Sequence, residues 1–384
     1  MPANTTTTYV SLRDGAAPSG SSNGIYMAIG IGVGCAVVLL VLSWYFCCHR
    51  PSKQQSTNAL LTARDDYSMY KEASLPACDA TDTMPSTLYV RTSECDLGPL
   101  LPFRLPAKDV ECWHVLASGS HGEVYLGEYR HSTVAIKQLY DGQASAADVQ
   151  RFADEIVTMS RFDHPRIVSL VGVVWDAPPA ALRLRCVMEY MDQGNLQDYC
   201  SNSNDASFPY RLKARVALQI ANALAYIHAI PIVHRDLKSK NVLVDGKKGA
   251  KITDFASAKA MRENASTMTQ GIGTFRWLAP EVLMESRYSA PADVYSLGVL
   301  LAEMSMYKRP YSDLVDDHGK PLSEVKILQQ ITSSGLRPSL ARNAPTWYTE
   351  WATACMATEP SDRPTAADVA KHIQAFLGVP RTTR

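Results

Sequence analysis

A long apolar run lies near the start of the chain. Residues 25–46 span 22 consecutive positions without a charged side chain. As an α-helix this run would extend about 33 Å, close to the hydrocarbon thickness of a bilayer. Tyr26 lies near one end and Trp44 near the other, where aromatic side chains favour the membrane interface. The pattern predicts a single transmembrane helix.

Basic residues flank this run mainly on one side. Arg50 and Lys53 follow it closely, whereas Arg13 is the only basic residue before it. This asymmetry predicts an N-terminus outside the membrane and a cytosolic C-terminal part. A cleaved signal peptide fits less well, because the run begins at residue 25 and exceeds the length of a signal core. We expect a single-pass protein of the plasma membrane, with membrane lipid as a partner.

Two features near this span leave alternatives open. Gly30 and Gly34 form a G-x-x-x-G pattern that would let two helices pack closely as a homodimer, but glycine is also common in membrane helices generally. Cys47 and Cys48 stand where juxtamembrane palmitoylation occurs, and unmodified thiols are an equal alternative.

Segments on either side of the span lack a sustained apolar period. Residues 1–24 are polar and short, which predicts a disordered extracytoplasmic segment. Residues 47–106 mix Ser, Thr, Pro and Asp with scattered Leu, which predicts a mostly disordered cytosolic juxtamembrane linker. Residues 379–384 form a short tail.

The hydrophobic pattern changes from about residue 106 onward. Short β-rich runs fill 110–139, 167–174 and 182–188, and a period of three to four predicts a helix over 146–162. After Gly194 the pattern is mainly helical, with helices over 212–228 and 294–306. Strands followed by helices indicate an α+β fold of two lobes: a β-rich N-lobe with one helix at 107–190 and a mainly helical C-lobe at 191–378.

Composition and charge exclude several classes of protein. Lys plus Arg and Asp plus Glu both number 38, so the net charge is zero and no basic field favours nucleic acid. The nine cysteines contain no C-x-x-C pair, which argues against a zinc site. They favour a reduced, cytosolic setting for most of the chain.

Candidate chemistry is concentrated in the string His234–Asn241. It places the carboxylate of Asp236, the ammonium of Lys238 and the amide of Asn241 at fixed offsets, and Asp254 follows Asp236 by eighteen residues. Magnesium-assisted phosphoryl transfer needs such a set: one Asp receives the substrate hydroxyl, while the Asn and the other Asp hold the metal.

A glycine-containing turn precedes these residues. It runs from Leu116 to Val124 between two strand-like segments, and its small residues would let backbone amides approach phosphate oxygens. The string Val134-Ala135-Ile136-Lys137 follows it, as in the nucleotide-binding part of protein kinases.

Together these strings resemble the eukaryotic protein kinase domain over about residues 107–378. The serine/threonine-type Lys238 and Thr274 beside Arg276-Trp277 resemble the tyrosine-kinase-like group of serine/threonine kinases. The resemblance implies ATP and Mg²⁺ (or Mn²⁺) as cofactors and protein substrates. The ATP site that it implies comprises Leu116, Ala117, Ser118, Gly119, Ser120, His121, Gly122, Glu123, Val124, Ala135, Lys137, Met188, Glu189 and Met191.

The resemblance also implies a role for single residues. Lys137 contacts the α- and β-phosphates and pairs with a helix carboxylate, for which Glu155 is preferred over its neighbour Asp154. Asp236 orients the substrate hydroxyl, Lys238 contacts the transferring phosphate, and Asn241 and Asp254 bind metal. Three further residues are structural by the same resemblance: Glu281 paired with Arg363, and Asp293 beneath the catalytic loop.

The sequence departs from the kinase pattern at a few positions. Ala117 and Ala256 replace glycines and His121 replaces the usual aromatic tip, which raises the alternative of a pseudokinase scaffold acting by contacts. Dual-specificity or tyrosine activity is a further alternative. Arg235 before the catalytic Asp suggests control by phosphorylation of the activation segment, with three candidate phosphosites: Ser266, Thr267 and Thr269. A constitutively ordered loop is an equal alternative.

Overall fold

The structure is a computed structural model that describes residues 91–92, 95–119, 122–140, 144–176, 183–260, 274–285 and 288–378. All of them belong to the unit Pro85–Arg384. The predicted transmembrane helix at 25–46, the segment 1–24, Cys47 and Cys48, and the tail 379–384 lie outside the described residues. Within the described stretches, no helix has both the length and the apolar character needed to cross a membrane.

The small lobe is built on an antiparallel sheet of five strands in the order β3-β4-β5-β7-β6. The first three strands follow one another as hairpins, and β6 and β7 complete the sheet. Their alternating apolar side chains form a buried cluster that includes Val134, Ile136 and Val187. The bounds are β3 (Val110–Ser118), β4 (Gly122–Tyr129), β5 (Ser132–Leu139), β6 (Leu170–Val174) and β7 (Arg185–Glu189).

One helix, α1 (Ala146–Met159), packs on this lobe. It begins with a capping box in which the Ser145 side chain accepts from Asp148 N and the Asp148 side chain accepts from Ser145 N. The helix ends three residues before the predicted end at 162, because Met159 is the last buried residue of its apolar stripe. The predicted strand over 167–174 begins only at β6, since Ile167 and Val168 are buried against β10 (Gly249–Ile252) instead.

The large lobe is mainly helical, as predicted. The two predicted helices are present and longer than expected, starting at residues 210 and 290. The central helix of this lobe, α5, is almost wholly buried. The helices are α2 (Leu196–Ser201), α3 (Tyr210–Ala229), α4 (Pro280–Glu285), α5 (Ala290–Met306), α6 (Glu324–Ser333), α7 (Thr346–Cys355) and α8 (Ala366–Leu377).

Two short two-stranded sheets carry the loops that contain Asp236 and Asp254. Strand β8 (Ile232–Val233) pairs with β11 (Lys259–Ala260), and β9 (Val242–Asp245) pairs with β10. His234–Asn241 therefore connects β8 to β9, and Asp254 follows β10. The α+β, two-lobed architecture is confirmed.

The folded part of the chain begins before the predicted boundary at residue 107. A short hairpin of β1 (Arg91–Thr92) and β2 (Cys95–Asp96) leads into the 3-10 helix Gly98–Phe103. Leu97 and Leu100 are buried in the main core. The prediction of a linker to residue 106 is therefore wrong for 95–106: this stretch has no sequence period of its own, and its apolar side chains are covered by α1 and β6.

Candidate active site

Lys137 on β5 pairs with Glu155 on α1. The Lys137 Nζ donates to Glu155 Oε1 at 2.7 Å and lies 3.9 Å from Asp254 Oδ1. Asp154, the rival carboxylate, is exposed and accepts instead from Gln150 Nε2 at 2.9 Å. The buried face of the helix thus presents Glu155 to the lysine, and the pair joins the helix to the sheet.

Electrostatics keep this lysine charged. Burial alone would lower the pKa of Lys137, but the nearby carboxylates of Glu155 and Asp254 outweigh that effect and raise its pKa. A permanently charged ammonium beside Asp254 is suited to hold phosphate oxygens.

Asp293 at the start of α5 holds the backbone of the catalytic loop. Its Oδ2 accepts from His234 N at 2.8 Å, its Oδ1 accepts from Arg235 N at 3.0 Å, and His228 Nε2 lies 2.9 Å from Oδ2. Arg235 has a φ of 68°, a left-handed conformation that a side chain disfavours. The buried carboxylate thus supports a strained turn just before Asp236.

Asp236 has one bound and one unbound carboxylate oxygen. Its Oδ2 accepts from Lys238 Nζ at 2.7 Å and from Asn241 Nδ2 at 3.0 Å. Its Oδ1 is buried and has no hydrogen-bond partner among the residues that the structure describes. Burial raises the pKa of Asp236, and the charge of Lys238 opposes that rise. A buried acceptor without a hydrogen bond lowers the stability of the fold, and a substrate hydroxyl could supply the missing donor.

Asn241 and Asp254 fit the metal role that the resemblance implies. The amide of Asn241 donates its Nδ2 to Asp236 O at 2.8 Å, which turns its oxygen away from that bond. The Asp254 side chain is 36% exposed, so its carboxylate remains accessible. Oxygen donors of this kind, few in number and completed by phosphates, match the preference of Mg²⁺. The metal would neutralise charge on the phosphates when bound.

The backbone around Asp254 bears on the alanine at position 256. Asp254 has a φ of 66°, whereas Ala256 is not among the residues with positive φ. The next residue, Phe255, is buried between His234 and Phe162, with ring centroids 5.0 and 4.6 Å away. In this conformation alanine replaces glycine at position 256 without backbone strain.

Two positions of the glycine-containing turn Leu116–Val124 differ in whether they require glycine. Ala117 pairs with Val124 just after a register shift in β3, and its φ is not positive, so this position does not require glycine. A Cβ at Gly122 would lie 2.1 Å from the Gln138 carbonyl oxygen, so that position requires glycine. Gly119 N donates to Gly122 O at 2.8 Å across the turn. Ser120 and His121 lie outside the described residues.

The end of β7 and the residues just after it, which the resemblance places in the ATP site, are held from the large lobe. Met188 and Met191 are buried. The carboxylate of Glu189 accepts from Ser169 N at 2.8 Å and from two lysines of the β9–β10 hairpin, Lys248 and Lys251. Sequence reasoning missed these lysines, because nothing in their local pattern indicates a partner about sixty positions away.

A second missed residue is Glu303 on α5. Its Oε1 accepts from Ser239 Oγ in the catalytic loop at 2.7 Å, and its Oε2 accepts from Trp277 Nε1 at 2.9 Å. Glu303 is 2% exposed. Burial raises the pKa of its carboxyl to about 7, although both hydrogen bonds act in the opposite direction.

Glu281 and Arg363 form the buried pair that the resemblance implies. Arg363 Nη1 and Nη2 bind the two oxygens of Glu281 at 2.7 and 2.9 Å. The guanidinium also donates to three backbone carbonyls, at Ala357, Pro291 and Thr358. The candidate phosphosites Ser266, Thr267 and Thr269 lie outside the described residues.

Comparison with known proteins agrees with this geometry. The family model described as protein tyrosine and serine/threonine kinase matches residues 110–373. The chain is 34% identical over 282 residues to the Arabidopsis thaliana "Probable serine/threonine-protein kinase PBL28", covering 69% of this chain and 74% of that protein.

Two further Arabidopsis thaliana relatives are longer than the matched region. "Serine/threonine-protein kinase STY17" is 29% identical over 77% of this chain and 49% of its own length. "Serine/threonine/tyrosine-protein kinase HT1" is 28% identical over 68% of this chain and 64% of its own length. The chain thus spans less than two thirds of these two relatives. With its motifs, two lobes and matched region, the chain belongs to the protein tyrosine and serine/threonine kinase family and is a protein kinase.

Proposed function

We propose that this protein is a membrane-anchored kinase that transfers the γ-phosphate of ATP to serine or threonine hydroxyls of protein substrates in signal transduction. The catalytic part of this proposal rests on one observation, the hydrogen bonding of the Asp236 carboxylate. One of its oxygens is held by Lys238 and Asn241, and the other is buried with no partner in the described part of the chain. This arrangement leaves one acceptor for an incoming hydroxyl.

The preference for serine and threonine rests on Lys238. Its ammonium lies 2.7 Å from Asp236, beside the position where the hydroxyl would meet the transferring phosphate. In the protein kinase domains that this chain resembles, a lysine at this position is typical of serine/threonine kinases. The names of the relatives agree with that preference, although one of them also includes tyrosine.

The remaining residues supply binding rather than proton transfer. Lys137, kept charged by Glu155 and Asp254, would hold the α- and β-phosphates of ATP. Asn241 and Asp254 would hold Mg²⁺ between the phosphates and the loop. Neither Ala117 nor Ala256 takes a positive φ that would need glycine, which favours an active enzyme over a pseudokinase scaffold.

A kinase assay on the full chain tests the catalytic proposal. The native protein and the Asp236→Asn variant are each given radiolabelled ATP, Mg²⁺ and a generic protein substrate. We expect transfer by the native protein and about 1,000-fold less by the variant, since the acceptor for the hydroxyl proton is lost. Equal transfer by both would refute the proposal, and mainly phosphotyrosine in the product would refute the serine/threonine preference.

Membrane anchoring rests on the apolar run at 25–46 and its basic flank. The kinase domain would face the cytosol, where ATP is available, with the plasma membrane as the proposed location. Protease treatment of sealed, right-side-out plasma-membrane vesicles, whose lumen corresponds to the cytosol, tests this orientation. We expect the C-terminal domain to resist external protease until detergent is added, and digestion without detergent would refute it.

The G-x-x-x-G face of the same run would allow a homodimer in the membrane, with the general abundance of glycine in membrane helices as the alternative. Crosslinking of the native chain and of a Gly30→Ile, Gly34→Ile variant tests it. We expect a dimer band that disappears in the variant, and equal bands would refute this contact.

A further inference from the structure

We propose that residues 95–105 act as a strap that positions helix α1 and, through it, the Lys137–Glu155 pair. The strap is defined as β2, Leu97, the 3-10 helix Gly98–Phe103 and the two residues that follow it. It lies outside the region matched by the family model, which starts at residue 110. The inference rests on the proposed function, because the pair that it positions belongs to the proposed active site.

The first end of the strap is attached to the start of α1. Asp96 N donates to Gln150 Oε1 at 2.7 Å, and Cys95 Sγ donates to the Ala146 carbonyl at 3.3 Å. Ala146 and Gln150 are four residues apart, so they share one face of the helix. The strap therefore grips α1 along a single face of its first turns.

This gripped face is almost opposite the face that carries the ion pair. Glu155 follows Gln150 by five positions, which turns its side chain by about 140° around the helix. Glu155 reaches Lys137 at 2.7 Å on that other side. Helix α1 is thus held between the strap and the sheet, and loss of either contact frees it to move away from Lys137.

Apolar burial anchors the middle of the strap. Leu100 is fully buried and Leu97 is 3% exposed, in the same cluster as Phe152 and Ile156 of α1. The neighbouring Leu101 is 51% exposed. Adjacent leucines in one short helix thus differ completely in burial, which provides a matched pair for experiment.

The second end of the strap is fixed to the edge strand of the sheet. Leu105 N donates to Val173 O at 2.8 Å. The Arg104 guanidinium lies 4.5 Å from the ring centroid of Trp175 and donates to its carbonyl. A Cβ at Gly172 would lie 2.7 Å from the Phe103 carbonyl oxygen, so glycine is required for this close approach. The strap spans from α1 to β6 and covers an edge that would otherwise be unpaired.

Two variants of the full chain separate positioning from simple stability. Leu100→Ala and its control Leu101→Ala are compared in the native background and in a Glu155→Gln background. We expect Leu100→Ala to lower kcat about tenfold in the native background, because a small misplacement of the pair is costly for catalysis. In the Glu155→Gln background it should lower kcat less than twofold, and Leu101→Ala should have little effect in either.

The outcomes decide between the alternatives. An equal loss in both backgrounds would mean that Leu100 acts only on stability and would overturn the proposal. If Leu100→Ala does not fold by circular dichroism, Gln150→Ala takes its place, and the same two outcomes apply. This variant removes the acceptor for Asp96 N and also the donor to the exposed Asp154. Asp154→Ala, which loses only the second of these bonds, is its control.

A second readout does not depend on activity. Amide hydrogen exchange is followed over residues 153–159 of α1, beyond the turns that are hydrogen-bonded to the strap. We expect faster exchange there in Leu100→Ala, or in Gln150→Ala if that variant has taken its place. Exchange in Leu101→Ala should match that of the native protein. Unchanged exchange in the first variant would overturn the proposal. If the native chain transfers no more phosphate than Asp236→Asn, the proposed function fails, and hydrogen exchange alone decides the strap.

Discussion

Ser239 in the catalytic loop donates its hydroxyl to the buried carboxylate of Glu303, at an Oγ–Oε1 distance of 2.7 Å. The second oxygen of the same carboxylate accepts from Trp277 Nε1 at 2.9 Å. Trp277 belongs to the 3-10 helix Thr274–Trp277, just before α4. One side chain of α5 thus joins the catalytic loop to the segment that leads into α4, so the position of each constrains the other.

This relationship predicts a pH-dependent stability. The pKa of Glu303 rises on folding from its ordinary 4.5 to about 7 because of burial. The folded state therefore binds the proton more tightly than the unfolded state, so this contribution is fully present below pH 4.5 and is lost as the pH rises to about 7. The difference amounts to about 3 kcal/mol.

Urea unfolding at pH 5 and pH 7.5 measures it. We expect the free energy of unfolding of native protein to fall, relative to that of Glu303→Gln, between these two values. A difference between the two proteins that does not change with pH would show that the Glu303 pKa is the same in both states.

The Lys137–Glu155 pair predicts a strong asymmetry between two neighbouring carboxylates. Glu155→Gln removes the charge that aligns Lys137 and should lower kcat/KM about 100-fold. Asp154→Asn, one position along the helix, keeps an oxygen for Gln150 and should change it less than about twofold. Steady-state kinetics with varied ATP measures both. A larger effect of Asp154→Asn than of Glu155→Gln would show that Asp154, and not Glu155, pairs with Lys137.

Asp293 predicts a loss of rate without a comparable loss of ATP binding. In Asp293→Asn, one of the two oxygens that accept from His234 N and Arg235 N becomes an amide nitrogen, so two donors face each other. The strained turn at Arg235 then loses its support, and kcat should fall about 100-fold, with KM for ATP changed far less. The exposed Asp317→Asn serves as the control, and a fall confined to KM would contradict the prediction.

Arg363 predicts that lysine cannot replace arginine. A lysine lacks the forked geometry of the guanidinium. It could not donate to both oxygens of Glu281 and to the backbone carbonyls at the same time. We expect Arg363→Lys to lower the free energy of unfolding by about 3 kcal/mol. Arg342→Lys at an exposed position should change it by less than about 0.5 kcal/mol. Equal urea midpoints for both variants would contradict the buried role of the pair.

Helix α1 of the small lobe shows how much the hydrophobic pattern of the sequence could predict. Its apolar stripe predicted a helix and favoured Glu155 over Asp154, and the structure places Glu155 on Lys137. The same kind of reasoning misjudged residues 95–106. That segment contains a 3-10 helix with Pro102 inside it, and a short irregular element has no period that a sequence can reveal. Its burial is created by α1 and β6, which come later in the chain.

Sequence by itself determined the order and identity of the chemical groups: the lysine, the two aspartates, the asparagine and the apolar run at 25–46. These signals are local, because residue type and spacing along a strand, loop or helix are enough to carry them. Only the tertiary structure decided which oxygen of Asp236 stays free, which carboxylate supports each loop, and where the folded domain begins. Those properties arise from contacts between residues tens of positions apart, such as Ser239 and Glu303 or Asp96 and Gln150, and packing alone brings such residues together.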